Sequence, residues 1–210
     1  MRTFVLTVLV FATMSIFAQN IKVKDIEKSL EKISDNVYVS KYDVSNEMYM
    51  QFLSDLKNNG KTDLYATCYP DTTKWHTKFA YNEPFVTLYH AHPAYFNYPV
   101  VNIDKKSAEE FCRWLTAKYK AEKKQKFENI EFRLPTEAEW KTFASKCKEM
   151  VKRTGEDAGP HDNTPMTIGN VSEMTLDGST SGDNWANKEP TMPSPWVGFR
   201  IAGEVPLQKQ

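Results

Sequence analysis

The side chains able to do chemistry are few and widely spaced. Cys68, Cys112 and Cys147 are the three thiols, and no two stand in C-x-x-C spacing, so neither a zinc site nor a dithiol redox site can be read from them. An odd number leaves at least one thiol free or paired between chains. His90 and His92 are spaced to share a strand face, which would begin a metal site, but no third ligand stands nearby. Ordinary packing in a polar aromatic loop is the competing reading. The acidic run D-G-S-T-S-G-D-N at 177–184 fails EF-hand spacing, and no G-x-S-x-G supports a hydrolase triad. Gly169, Val171 and Glu173 alternate, so one carboxylate and two neighbours can face one side of a strand or loop.

Three helices can position these groups. Ser45 reads as the N-cap of the first, whose apolar face is Met48, Tyr49, Phe52, Leu53 and Leu56, ending at Asn58-Asn59-Gly60. Asp104 caps the second, with Ala108, Phe111, Cys112, Leu115 and Tyr119 on one stripe. Thr136 and Glu139 form a capping box for the third, with Trp140, Phe143, Ala144, Cys147 and Val151 as its buried stripe. Alternation at 36–44 and the run at 131–135 read as strands, and short strands are expected within 166–174 and 197–202. The segment 21–33 is a weak helix or lead-in carrying Ile26, Leu30 and Ile33. Residues 61–102 show no period and are dense in Tyr, Phe, His and Pro, which predicts a long ordered loop packed by its own aromatics. The fold class is an irregular α+β domain with about three helices, short antiparallel strands and long loops.

The chain has 210 residues with 27 basic and 27 acidic side chains, 40% hydrophobic and 13% aromatic. That is enough apolar material for one core, and the neutral balance argues against a nucleic-acid partner. Arg2 followed by an uncharged run from Phe4 to Phe17 and small residues near Ala18 reads as a signal peptide over 1–18, too short for a membrane span. Its removal takes away only Arg2, leaving 26 basic against 27 acidic side chains. The expected organisation is a signal peptide over 1–18, a lead-in over 19–36, a domain over 37–204 and a tail over 205–210. No cysteine follows the apolar run, so attachment to the outer membrane would go through another protein.

The segments KYDVSNEMYMQFL, YPVVNIDKKSAEEFCRWL, FRLPTEAEW, GNVSEM and VGFRIA, in that order, resemble the formylglycine-generating-enzyme (sulfatase-modifying factor) family. That resemblance implies a C-type-lectin-like fold. Within the family, the aromatic stretch at 68–101 is most similar to the gliding-motility lipoproteins GldJ and GldK and the PorK-like proteins of type IX secretion, whose domains are not known for catalysis. Catalytic members resemble copper oxidases with a cysteine pair between GNVxE and GFR. The interval 176–197 has no cysteine here, and without soft thiolates Cu(I) chemistry has no ligands.

The resemblance also implies a weak calcium site from Gly169, Val171 and Glu173, with Met166 where the family has an asparagine and with Asp162 or Asp177 as auxiliary acids. Calcium is therefore the one cofactor that it raises. Three readings stay open: an exported, non-catalytic interaction protein of the bacterial envelope, a carbohydrate- or ligand-binding module, and an active oxidase. The first places the protein in the periplasm or at the outer membrane, among type IX secretion or gliding components. Its expected interaction surface is Trp75, Phe79, Tyr81, Tyr89 and Tyr95, since aromatics are enriched at interface cores.

Overall fold

The computed structural model describes residues 21–76, 83–147, 149–150 and 162–207. The expected signal peptide, Phe79, Tyr81 and Val151 lie outside the described residues, as does the end of the tail. In chain order the elements are α1 (Val23–Ser29), β1 (Leu30–Lys32), β2 (Val37–Ser40), α2 (Asn46–Asn58), α3 (Thr62–Cys68), α4 (Glu83–Leu88) and α5 (Lys105–Ala121). There follow β3 (Glu131–Arg133), α6 (Glu137–Ala144), β4 (Glu149–Met150), β5 (Thr167–Ile168), β6 (Ser172–Met174), β7 (Thr180–Ser181), β8 (Val197–Gly198) and β9 (Ala202–Glu204). Two 3-10 turns, Thr72–Trp75 and Pro93–Tyr95, flank α4.

The described residues thus hold six α-helices rather than three. The three that pattern reading finds, α2, α5 and α6, carry an amphipathic stripe and a side-chain cap. Ser45 Oγ accepts from Met48 N, Asp104 Oδ1 from Ser107 N at 2.7 Å, and the Thr136–Glu139 box closes in both directions. The other three, α1, α3 and α4, have seven, seven and six residues, too short to display a repeating face. The third helix also stops at Ala144, so Cys147 lies beyond it.

The main sheet has the order β1-β2-β9-β3 with every neighbour antiparallel. Its two faces alternate along β2. Tyr38 packs into the larger core, its ring 4.6 Å from Phe127, while Val39 faces the other way onto Phe143 of α6 with Ala202. The larger core is filled by the stripes of α2 and α5, including Tyr49, Phe52, Phe111 and Leu115. Gly203 in β9 leaves room for Ile130 and Phe132: a Cβ there would stand 2.6 Å from Ile130 Cδ1.

The domain starts earlier than residue 37. β1 pairs with β2 through Glu31↔Val39, Ile26 and Leu30 are buried in the main core, and Glu27 of α1 accepts hydrogen bonds from Tyr119 Oη and the Lys126 amide. The segment 21–33 is therefore a helix and an edge strand of the sheet. A smaller sheet, β7-β6-β8, has β6 antiparallel to β7 and parallel to β8, and β4 pairs with β5 in parallel. No helix among the described residues is long and apolar enough to cross a membrane.

Candidate functional site

β6 delivers Glu173 into the interior, where it is 1% exposed. A buried carboxylate must be paired, and two donors meet it. The indole Nε1 of Trp140, from α6, donates to Oε2 at 2.9 Å. Arg200, fully buried between β8 and β9, donates from Nη2 to Oε1 at 2.6 Å and from Nε to Oε2. The remaining donors of Arg200 reach Ser40 O at 2.9 Å, Asp43 Oδ1 at 3.0 Å and Thr167 O at 3.2 Å, and its guanidinium lies 4.3 Å from the centre of the Phe143 ring. One side chain thus joins β2, the β2–α2 loop, β5 and β6. Burial works against the charge on Arg200, but Glu173 and Asp43 outweigh it and hold its pKa above the ordinary value. Burial, then the charge of Glu173, pushes the Asp43 carboxyl well above the usual carboxylate range, with Arg200 opposing.

This geometry does not fit calcium. Both oxygens of Glu173 face a guanidinium and an indole N–H, so the place of a divalent cation is taken by a residue of the chain. The auxiliary acids stand elsewhere: Asp162 Oδ1 accepts from Asn97 Nδ2 at 2.6 Å and Asp177 Oδ2 from Glu137 N at 2.7 Å. Gly169 takes φ +92°, Met166 takes φ +56° and packs beside the Val39–Phe143 cluster, and Val171 joins a second apolar cluster. Among the described residues no group of three His, Cys, Asp or Glu side chains is placed to hold a metal. The two histidines part company as well. His90 is buried with Nε2 3.1 Å from Val101 O, whereas His92 is exposed and accepts from Ala94 N through Nδ1.

Two residues of the expected aromatic surface are interior. Trp75 and Tyr89 are 0% exposed, with ring centroids 4.9 Å apart and Phe85 4.8 Å from Trp75. Tyr89 Oη donates to Pro99 O at 2.6 Å, and Tyr95, half-buried, stacks on Tyr89 at 5.6 Å. Asn46, at the start of α2, donates to the carbonyls of both Tyr89 and Tyr95. The aromatics cover one another because a loop this rich in rings gains more by mutual burial than by facing water. Trp75 and Tyr89 are therefore the core of a second cluster rather than anchors held out to a partner, and Tyr95 packs against that cluster while partly exposed. Among the described residues, the large hydrophobic side chains exposed around this region are Tyr69 and Leu88.

The profile of the Sulfatase-modifying factor enzyme 1-like domain matches residues 24–165. The chain belongs to this family. No curated protein matches the chain. The matched stretch includes α1, in accord with a domain that begins before β2, and runs through the RLPTEAEW corner. There Arg133 forks onto Glu139 at 2.7 Å through both terminal nitrogens and reaches Glu204 Oε2 of β9 at 2.9 Å. Within the family domain the thiols of Cys68 and Cys112 lie in the main core, and burial pushes both up. Cys147 is half-buried and raised for the same reason.

Pattern reading missed three features of this site. Arg200 was visible only as part of a motif, and Asp43 only as a strand residue. The third is a cavity of about 450 Å³ beside Asp43, lined by parts of α1, the β2–α2 loop and the segment around Asn163. No periodicity or spacing marks it, because its walls come from distant parts of the chain.

Proposed function

We propose that this family member is non-catalytic and acts as an exported scaffold or interaction protein of the bacterial cell envelope, in the setting of type IX secretion or gliding machinery. One observation carries the non-catalytic reading. Where the resemblance to the oxidases calls for a thiolate pair, residues 176–197 hold no cysteine and the segment closes on itself. Trp185 Nε1 donates to Pro195 O, Asn184 Nδ2 to Lys188 O and Trp196 Nε1 to Glu189 O. The thiols the chain does have are shifted away from the thiolate state that copper requires.

Similarity of the 68–101 stretch to the gliding and secretion lipoproteins supports the envelope setting, and the lectin-like class of the fold belongs to the same reading. With Trp75 and Tyr89 buried, this reading assigns partner contact to the outer face of that stretch, where Tyr69 and Leu88 are exposed. Two measurements test the proposal. The purified protein given copper, oxygen and a sulfatase-type cysteine peptide should yield no formylglycine by mass spectrometry, and aldehyde above a protein-free control overturns the non-catalytic reading. Reciprocal capture from cross-linked native envelopes should recover a component of the secretion or gliding apparatus. Its consistent absence overturns the assigned setting.

A further inference from the structure

We propose that the cavity beside Asp43 binds a small organic cation, a primary ammonium carried on an apolar stem. At about 450 Å³ it falls within the size range of small-molecule pockets, roughly 300–1,000 Å³. Ile26, Val44, Met48 and Ile201 give it apolar walls, and Asp43 and Glu47 supply carboxyl groups. No Lys, Arg or His side chain is among the lining residues. Asp25, at one edge, is exposed and already pairs with Lys28 at 3.6 Å. Glu47 makes no ion pair among the described residues.

The charge count behind the wall points the same way. Asp43 and Glu173 are two buried carboxyls sharing one guanidinium, that of Arg200. Every nitrogen of Arg200 is already engaged, with Glu173, Asp43, Ser40 and Thr167. Counted as ionised, the two carboxyls leave the group one positive charge short. Asp43, its member on the cavity wall, meets that deficit by holding its proton well above the usual carboxylate range, and an ammonium would take that proton's place. An ammonium placed there would have Asp43 and Glu47 as its acidic neighbours, and partial burial strengthens such pairing.

An anion would meet only like charge. A bare divalent ion would find oxygen ligands among the lining side chains but would leave the apolar faces of Ile26, Val44, Met48 and Ile201 uncovered. The stem of an alkyl or aryl amine would instead cover those walls, and burying apolar area is what favours it over a hydrated inorganic ion.

The test uses the purified chain and a matched trio of probes: benzylamine, benzyl alcohol and benzoate, followed by titration calorimetry and amide chemical shifts. Benzylamine should bind and move the amides of Asp43, Val44, Glu47 and Asn163. Benzyl alcohol should bind at least about tenfold more weakly and benzoate not measurably. Glu47→Gln, a change on a partly exposed helix position, should weaken benzylamine several-fold, and Met48→Trp, which fills the cavity, should abolish binding. Because Asp43 also holds Arg200, Asp43→Asn is read only if its thermal midpoint matches the parent. Equal affinity for amine and alcohol, tighter binding of benzoate, or shifts confined to residues away from the cavity would overturn the proposal. So would no binding of benzylamine at about 10 mM, or calcium chloride moving the same amides when the amine does not.

Discussion

Arg200 and Glu173 meet side-on in the interior, with Nη2 2.6 Å from Oε1 and Nε on Oε2. The closing G-F-R segment is thereby fastened to the G-N-V-S-E-M segment across the junction of the two main sheets. A buried ion pair of this kind is weak evidence for net stability, but removing one partner leaves an uncompensated charge. Glu173→Ala should therefore cost roughly 3–5 kcal/mol in urea unfolding, and combining it with Arg200→Met should recover part of that loss. Since Arg200 occupies the cation position, calcium or a chelator should leave the parent's thermal midpoint unchanged. A clear rise with calcium would contradict the fit described for Glu173.

His90 should make the protein acid-sensitive. Burial lowers its pKa from 6.5 to about 4, against the opposing backbone hydrogen bond to Val101. The neutral ring donates from Nε2 to Val101 O and leaves Nδ1 without a partner among the described residues. In the unfolded chain the imidazole takes up its proton near 6.5, in the folded chain only near 4. Between those values the unfolded state holds more protons, so stability falls as pH drops through this window, by about 3 kcal/mol in all. His90→Gln keeps a donor and removes the titration. Its unfolding free energy, followed from pH 7 to 4, should lose that part of the slope, and an unchanged slope would tell against the assignment.

Much of this fold was legible because its long helices carry local signals. Ser45, Asp104 and Thr136 announce three N-termini by side-chain chemistry alone; the stripes behind the first two fill the main core, and Phe143 of the third packs on the other face of the sheet. The aromatic stretch was not legible in the same way. Trp75, Phe85 and Tyr89 bury one another across short turns, so their burial has no period, and aromatics dense enough to form a core look the same in sequence as aromatics displayed to a partner. The candidate site was half legible. Glu173 stood out as a carboxylate in a motif, but which cation faces it depends on Arg200, whose approach is a matter of tertiary packing. Trp140 was recognised as a buried stripe residue, while its indole N–H is the second donor to Glu173.

The reassigned role of the aromatic stretch separates two substitutions. Trp75→Ala removes a fully buried indole from the second cluster and should lower stability by roughly 3–5 kcal/mol. Tyr69→Ala, at an exposed position, should change stability by less than about 0.5 kcal/mol. Chemical denaturation of both variants decides the matter: a neutral Trp75→Ala would restore the surface reading.

Gly182 offers a separate check on the Glu173 environment. It takes φ +83°, and a Cβ there would stand 2.8 Å from Cζ2 of the Trp140 indole. Gly182→Ala would both strain the backbone and push the indole away from Glu173. The expected cost is on the order of 1–3 kcal/mol, accompanied by a shift of the Trp140 Nε1 proton resonance. A variant with the parent's stability and an unmoved resonance would mean that the loop yields instead.

The position of β9 has a consequence for how the chain reaches this shape as it is made. β9 lies between β2 and β3 in the main sheet, so Val39 waits for Ala202, and Arg133 for Glu204, before either strand gains its inner neighbour. A nascent chain carries β2 with only β1 to pair with until residues 202–204 have been made, leaving an open hydrogen-bonding edge beside apolar side chains. Such long-range closure slows folding and lengthens exposure to mispairing. The polypeptide therefore stays open to chaperones until β9 arrives, and commits to its native sheet only then.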